Sequence, residues 1–238
     1  MSGAGIAAGI AQLDWSALHA QLDARGHAVT PVLLDEAQRR RLIALHEQDD
    51  RFRSRVVMQR HGFGRGEYRY FDYPLPPIVQ ALRAGFYAQL VPLAMRWAAQ
   101  LGVDRSYPAD LEGFLAACRA AGQCKPTPLL LRYAAGDYNC LHRDLYGEQQ
   151  FPLQIIVQLN APGEDFSGGE LVLVEQRPRA QSIARVVTLP AGAAAIIAVH
   201  HRPVAGTRGW YRAQLRHGVS EIRRGQRHTL GVILHDAA

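Results

Sequence analysis

The spacing of hydrophobic positions changes near the middle of the chain. In the first half, apolar residues recur every three to four positions over several stretches, the period of a helix with one buried face. Asp14 is placed to cap a helix over Trp15–Ala24 that stops at Gly26, and Asp35 to cap another running through Glu47. Ala28–Leu33 is a short apolar strand between them. Periodic stretches over Pro77–Leu101 and Pro108–Ala121 predict two further helices. Arg55–His61 and Glu67–Phe71 read as two strands joined by the turn Gly62-Phe63-Gly64-Arg65-Gly66. Residues 1–12, small and apolar without a basic leading segment, read as a frayed tail and not as a signal peptide.

Beyond Leu129 the pattern becomes that of strands. Leu129–Tyr133, Phe151–Asn160, Glu170–Glu175, Ile183–Leu189, Ala194–His200, Trp210–His217 and Arg227–His235 are short runs bounded by Gly, Pro, Asp or Asn. So many strands in so short a stretch predict a barrel or sandwich. Helices first and strands afterwards, with no linker, predict one α+β domain over 13–238. Within it, 13–125 would be mainly helical support, carrying a candidate substrate hairpin at 51–73. Residues 126–238 would form a double-stranded β-helix (jelly-roll) core buttressed by the N-terminal helices.

Composition narrows the setting. Apolar residues at 48% and charged residues at 20% are ordinary for a soluble globular chain. Cys118, Cys124 and Cys140 show no paired spacing, which points to a reduced, cytoplasmic setting and no disulfide framework. No apolar run reaches the length of a membrane span. The net charge of +6 admits an acidic partner such as nucleic acid. All but one of the 27 basic residues are arginine, Lys125 being the exception; coding bias accounts for much of that excess, so clusters of arginine are more informative than their number. No feature of the sequence assigns an oligomeric state.

One constellation carries chemistry. His142 and Asp144 lie two residues apart, His217 follows 73 positions after Asp144, and Arg227 ten after that. If His142 and Asp144 share a strand, both side chains leave one face. Two imidazoles and a carboxylate on one face form the triad of non-heme Fe(II) oxygenases, with open positions opposite. Arg227 and Thr229 alternate on the last strand and can point into the same interior, where a guanidinium fork and a hydroxyl would hold a carboxylate. Tyr133, on the strand before His142, could add a phenol. A lone His-x-Asp is a weak signal; these companions make it a strong one. His200 and His201 read as non-ligands because they are adjacent, and His228 because its strand parity is wrong; His61 and His235 read as non-ligands too, and Cys140 as a small near-core residue.

The segment Arg132–Asp144 resembles the metal-binding segment of AlkB-like and prolyl-hydroxylase-like 2-oxoglutarate/Fe(II) oxygenases. Phe166-Ser167-Gly168-Gly169-Glu170-Leu171 and His217-Gly218-Val219, with Arg227 beyond, resemble motifs of the prolyl-hydroxylase branch. Through Arg53–Phe71, Glu175–Ser182 and Gly206–Asp236 the chain more closely resembles a bacterial group assigned to oxidative demethylation of damaged DNA. The resemblance implies His142, Asp144 and His217 as iron ligands and Arg227 as the 2-oxoglutarate anchor. Fe(II), 2-oxoglutarate and O2 are the implied cofactors, with ascorbate as an aid. Leu131 stands where AlkB-type enzymes carry a co-substrate-binding asparagine.

For the substrate, residues 51–71 interleave arginines with aromatics, a pattern suited to phosphates and unpaired bases. Arg60, His61, Tyr68 and Tyr70 are candidates there, and Arg177 and Arg179 in the polar turn at 175–182. The bland reading of each is a solvated arginine or a packed ring. Three functions stay open: demethylation of alkylated nucleic-acid bases, hydroxylation of a protein side chain such as proline, and a non-catalytic metal-binding module.

Overall fold

The computed structural model describes residues 3–238. In chain order it contains α1 (Gly3–Ala11), α2 (Trp15–Arg25), β1 (His27–Val29), α3 (Glu36–Ala44), β2 (Phe52–Val57), β3 (Gly64–Arg65), β4 (Glu67–Phe71), α4 (Pro77–Gln100) and α5 (Leu111–Ala120). The second half follows with β5 (Leu129–Ala134), β6 (Tyr138–His142), β7 (Leu153–Gln158), β8 (Phe166–Gly168), β9 (Leu171–Gln176), β10 (Ile183–Val187), β11 (Ala194–Ala198), β12 (His201–Gly206), β13 (Gly209–Val219) and β14 (Ile222–Ile233).

The expected capping is present. The Asp14 carboxylate accepts from the Ala17 amide, Gly26 closes α2 in the left-handed region, and Asp35 with Gln38 forms a capping box on α3. The N-terminal stretch differs from expectation. Residues 1–2 lie outside the described residues, and Gly3–Ala11 form a helix instead of a tail. Tertiary packing holds it: Ile6 and Ile10 are buried, and Gly85 on α4 lets Ile10 approach so closely that an added Cβ would lie 3.0 Å from it.

Among the described residues the strands form two antiparallel sheets, giving a mixed α/β architecture. The larger runs β1-β11-β7-β14-β5-β4-β2, with β8 also on β14; the smaller runs β10-β9-β13-β6-β3, with β12 also on β13. One apolar cluster joins α1, α2, α4 and α5 to residues such as Leu130, Ile155, Ile196 and Val232 of the larger sheet. A buried Arg83 fastens α4 to the end of β14, donating to the Ile233 carbonyl and pairing with Asp236 at 2.7 Å. No helix of the described residues is long and apolar enough to cross a membrane.

Three local departures matter for the site. β2 ends at Val57, and Met58–His61 form a 3-10 turn where a strand was expected. The connection to β4 is no simple hairpin loop, because β3 within it pairs with β6 of the other sheet. Gly64 permits this with φ of 122°; a Cβ there would lie 2.4 Å from the Tyr138 carbonyl. The stretch between the expected strands Ala194–His200 and Trp210–His217 is not a loop but largely β12, an edge strand on β13, and edge strands tolerate proline.

Candidate metal centre

β6 and β13 are neighbours, and their register sets His142 directly across from His217, with ring centroids 4.3 Å apart. Side chains directly opposite share a face, so pairing alone brings the two imidazoles together. Asp144 is not on that strand. β6 ends at His142, and the strand-parity argument fails for the aspartate. The chain turns and still brings its carboxylate between the rings, Oδ1 3.6 Å from His142 Nε2 and Oδ2 3.2 Å from His217 Nε2. One donor atom from each of the three lies within 4.8 Å of the others.

Neighbours aim two of the three donors, whereas His217 Nδ1 is buried without a partner. The His142 Nδ1–H donates to the Cys140 carbonyl at 2.8 Å, which leaves Nε2 as the free lone pair turned inward. Both Asp144 oxygens accept: Oδ1 from the Tyr146 hydroxyl at 2.9 Å, Oδ2 from Gln154 Nε2 at 2.8 Å. Burial alone would raise the Asp144 pKa. The hydrogen bond and charge of His217, then His142 and Gln154, reverse that and hold the carboxyl well below its usual range. Burial, then the charge of His217, pulls the His142 imidazole below its ordinary pKa, so it stands neutral at pH 7 as a ligand must.

The opposite wall of the same cavity, about 410 Å³ in volume, comes from the larger sheet. β14 supplies Arg227 and Thr229, β5 supplies Tyr133, and β4 supplies Tyr68 and Tyr70. Arg227 pairs in register with Tyr133, and its guanidinium lies 5.6 Å from the Tyr133 ring and 5.9 Å from Phe166. It is buried, yet Nε and Nη1 have no hydrogen-bond partner. Burial draws its pKa down to about 10, still charged at neutral pH, and pushes the Tyr133 phenol up to about 12. Natural structures seldom leave a buried cation unanswered. An anionic ligand entering the cavity would answer this one.

Tyr146 and Gln154 were not singled out by sequence reasoning. Gln154 is one of two glutamines in the otherwise apolar run of β7, and Tyr146 lies two residues past Asp144; both were visible signals. The substrate candidates divide. Tyr68 and Tyr70 line the cavity, and Tyr70 shares a 2.9 Å hydrogen bond with Tyr146. Arg60 and His61 do not line it: both are exposed on the 3-10 turn, where His61 stacks on Phe63 at the cavity rim. Arg177 is committed to buried Glu175 at 2.6 Å, and Arg179 is exposed on a left-handed turn position; neither lines the cavity.

Three of the six arginines of the upstream segment are also spoken for. Arg55 donates to Glu67 at 2.9 Å, Arg69 pairs with Asp49, and Arg53 donates to the Pro126 carbonyl while lying 4.5 Å over the Tyr70 ring. Arg202 is a buried partner of Glu175. Cys140 is exposed and lines the cavity, contrary to its reading as a near-core residue. His228 faces away from the site toward His46, and His235 is buried, accepting from the Phe151 amide. His200 contacts Arg143, and its ring lies 3.5 Å from that of His201. None of these histidines joins the triad.

Comparison with known proteins supports an oxygenase. The fold resembles a Pseudomonas putida prolyl-4-hydroxylase, with a TM-score of 0.56, 14% identity, and coverage of 91% of this chain and 96% of that one. It also resembles an oxidoreductase of the 2OG-Fe(II) oxygenase family from Burkholderia pseudomallei, at TM-score 0.53 and 17% identity, covering 94% and 93%. An uncharacterized protein of Mycobacterium tuberculosis strain H37Rv, Rv2227, is 46% identical over 168 residues, 71% of this chain and 72% of its own length. A family described as "Oxygenase, catalysing oxidative methylation of damaged DNA" matches residues 66–237. That span includes the histidine–aspartate–histidine cluster and Arg227, and the chain belongs to this family of oxygenases.

Proposed function

We propose that the protein is an Fe(II)- and 2-oxoglutarate-dependent dioxygenase that demethylates alkylated bases in nucleic acid. The two sheets would be the halves of a double-stranded β-helix. The observation that carries the cofactor reading is the pairing of two features in one cavity. A hard carboxylate and two imidazoles converge at one end, a set suited to Fe(II), and an unpartnered buried guanidinium stands at the other.

His142, Asp144 and His217 would hold the metal. Iron bound there supplies dioxygen activation and the oxidising power to break a C–H bond. The chain's own residues orient. Tyr146 and Gln154 fix the Asp144 carboxylate, and the Cys140 carbonyl fixes the His142 tautomer. Arg227 would take the far carboxylate of the oxo acid, with the Thr229 hydroxyl and the Tyr133 phenol beside it. Tyr68, Tyr70 and Phe63 give the cavity an aromatic wall that excludes water and suits a flat ring. Oxidation of an N-methyl carbon would yield a hemiaminal that sheds formaldehyde.

The substrate class rests on the family description, which names damaged DNA, and on the chain's net positive charge. A second reading, hydroxylation of a protein side chain, is favoured by the shape likeness to a prolyl-4-hydroxylase and by the ten-residue interval from His217 to Arg227. A metal-binding module without catalysis does not fit membership of an oxygenase family. The test is to supply Fe(II), 2-oxoglutarate and ascorbate and follow succinate. Formaldehyde from N-methylated oligonucleotides is the expected result. A gain of one oxygen on proline-containing peptides without formaldehyde establishes the second reading. Absence of any succinate, coupled or uncoupled, refutes both.

A further inference from the structure

β13 carries two opposed faces. Ala213, Leu215 and His217 are buried, and His217 points at the metal centre. Trp210, Arg212, Gln214 and Arg216 alternate with them and are exposed, the indole to 50%. A strand advances about 3.4 Å per residue, so same-face positions stand about 7 Å apart and this row spans about 20 Å. Arg212 donates to the Leu101 carbonyl, an uncharged partner. Arg216 has no hydrogen bond or ion pair among the described residues. The cross-strand neighbours of the row are Val174 and Gln176 on β9 and His201, Pro203 and Ala205 on β12. None is acidic.

In the upstream segment, by contrast, carboxylates neutralise Arg55 and Arg69. A strip with two arginines, an exposed indole and no negative charge complements a polyanion with flat groups to stack. Single-stranded nucleic acid has both properties; in a duplex the bases are already stacked. The strip also leads to the cavity. Arg216 immediately precedes His217, and β6 lies beside β13 with Leu141 41% exposed. β3 follows, bringing Phe63, 48% exposed, to the rim; its carbonyl accepts from the Cys140 amide. Leu141 and Phe63 both line the cavity.

We propose that the exposed face of β13 is a docking track for single-stranded nucleic acid, which crosses β6 to place one base in the metal cavity. The proposal rests on the nucleic-acid reading above and adds where the strand is held. The probe is a fluorescein-labelled thymidine oligonucleotide, titrated with the full chain and read by anisotropy across a salt series. Each phosphate contact on a single strand contributes a slope of about −0.7 in log affinity against log salt. Arg212→Gln with Arg216→Gln is therefore expected to flatten the slope by about 1.4 and weaken binding about 25-fold at 0.1 M salt. Trp210→Ala is expected to cost about 5-fold or more. Arg40→Gln, on the exposed face of α3, serves as the control and leaves both readings unchanged.

Unchanged affinity in the double arginine variant overturns the track. So does strip-dependent binding to phosphatidylserine vesicles without binding to the oligonucleotide. Succinate production on the same preparations separates the two claims. Iron-dependent turnover with no strip-dependent binding refutes the track and leaves the oxygenase standing. Strip-dependent binding without turnover supports the track and refutes the catalytic reading.

Discussion

On the small-sheet wall of the cavity, His142, Asp144 and His217 answer one another, with the carboxylate between two rings and both its oxygens also bonded to neighbours. On the large-sheet wall, Arg227 is more deeply buried than any of the three and stands with two of its nitrogens unanswered. The first wall leaves two neutral atoms, His217 Nδ1 and Gln154 Oε1, without a partner but no charge unanswered, and it stays poised for a metal. The second carries an open electrostatic demand that an anion would meet. A metal end should therefore tolerate emptiness, whereas the arginine end costs the ligand-free fold stability.

Breaking the metal wall gives the largest expected effect. His217→Ala should lower affinity for Fe(II), or for Mn(II) as a redox-stable stand-in, by roughly 1000-fold or more, beyond the range seen for outer partners. Calorimetric titration reads it directly.

Next comes the stability of the other wall. A guanidinium whose pKa falls from 12.5 to about 10 on burial implies roughly 3 kcal/mol lost to keeping it charged at neutral pH. Because the folded state disfavours the charged form, removing the charge should stabilise. Arg227→Met is expected to raise the ligand-free Tm by about 5–10 °C while abolishing the response of Tm to 2-oxoglutarate. A lower Tm would mean that Arg227 is satisfied and that the contrast between the walls is wrong.

Smaller effects sharpen the comparison. Gln154→Ala frees one oxygen of Asp144 and should weaken metal binding about 10- to 100-fold, with the fold intact by circular dichroism. Thr229→Val keeps the shape and removes one hydroxyl from the large-sheet wall. It should weaken 2-oxoglutarate binding about 5-fold and leave metal affinity alone.

The legible parts of the site were those carried by pairing and periodicity. His142 and His217 sit opposite each other on neighbouring strands, and Arg227 and Thr229 share a face of β14, as alternation predicted. Asp144 reached the site by a turn instead of by strand parity, so the residue was right and the reason was not. Charge pairing was illegible. Arg177 looks free in sequence, and only the fold reveals Glu175 buried against it. The arginine–aromatic segment likewise hid Glu67 and Asp49 as partners for its own cations. The helix over Gly3–Ala11 escaped notice because its order comes from Gly85, some 75 positions away, and not from local caps. β12 was hidden by Pro203 and by the glycines at the hairpin tip, residues that usually mark loops.

The central claim is that the unanswered guanidinium exists for a carboxylate ligand delivered beside the metal. The most direct measurement is anaerobic calorimetric titration of 2-oxoglutarate into the metal-loaded protein, wild type against Arg227→Gln. The expected result is one site in the wild type and affinity about 100-fold weaker in the variant, with metal affinity unchanged in a parallel titration. Equal affinity for 2-oxoglutarate in the two proteins, or none in the metal-loaded wild type, would contradict it.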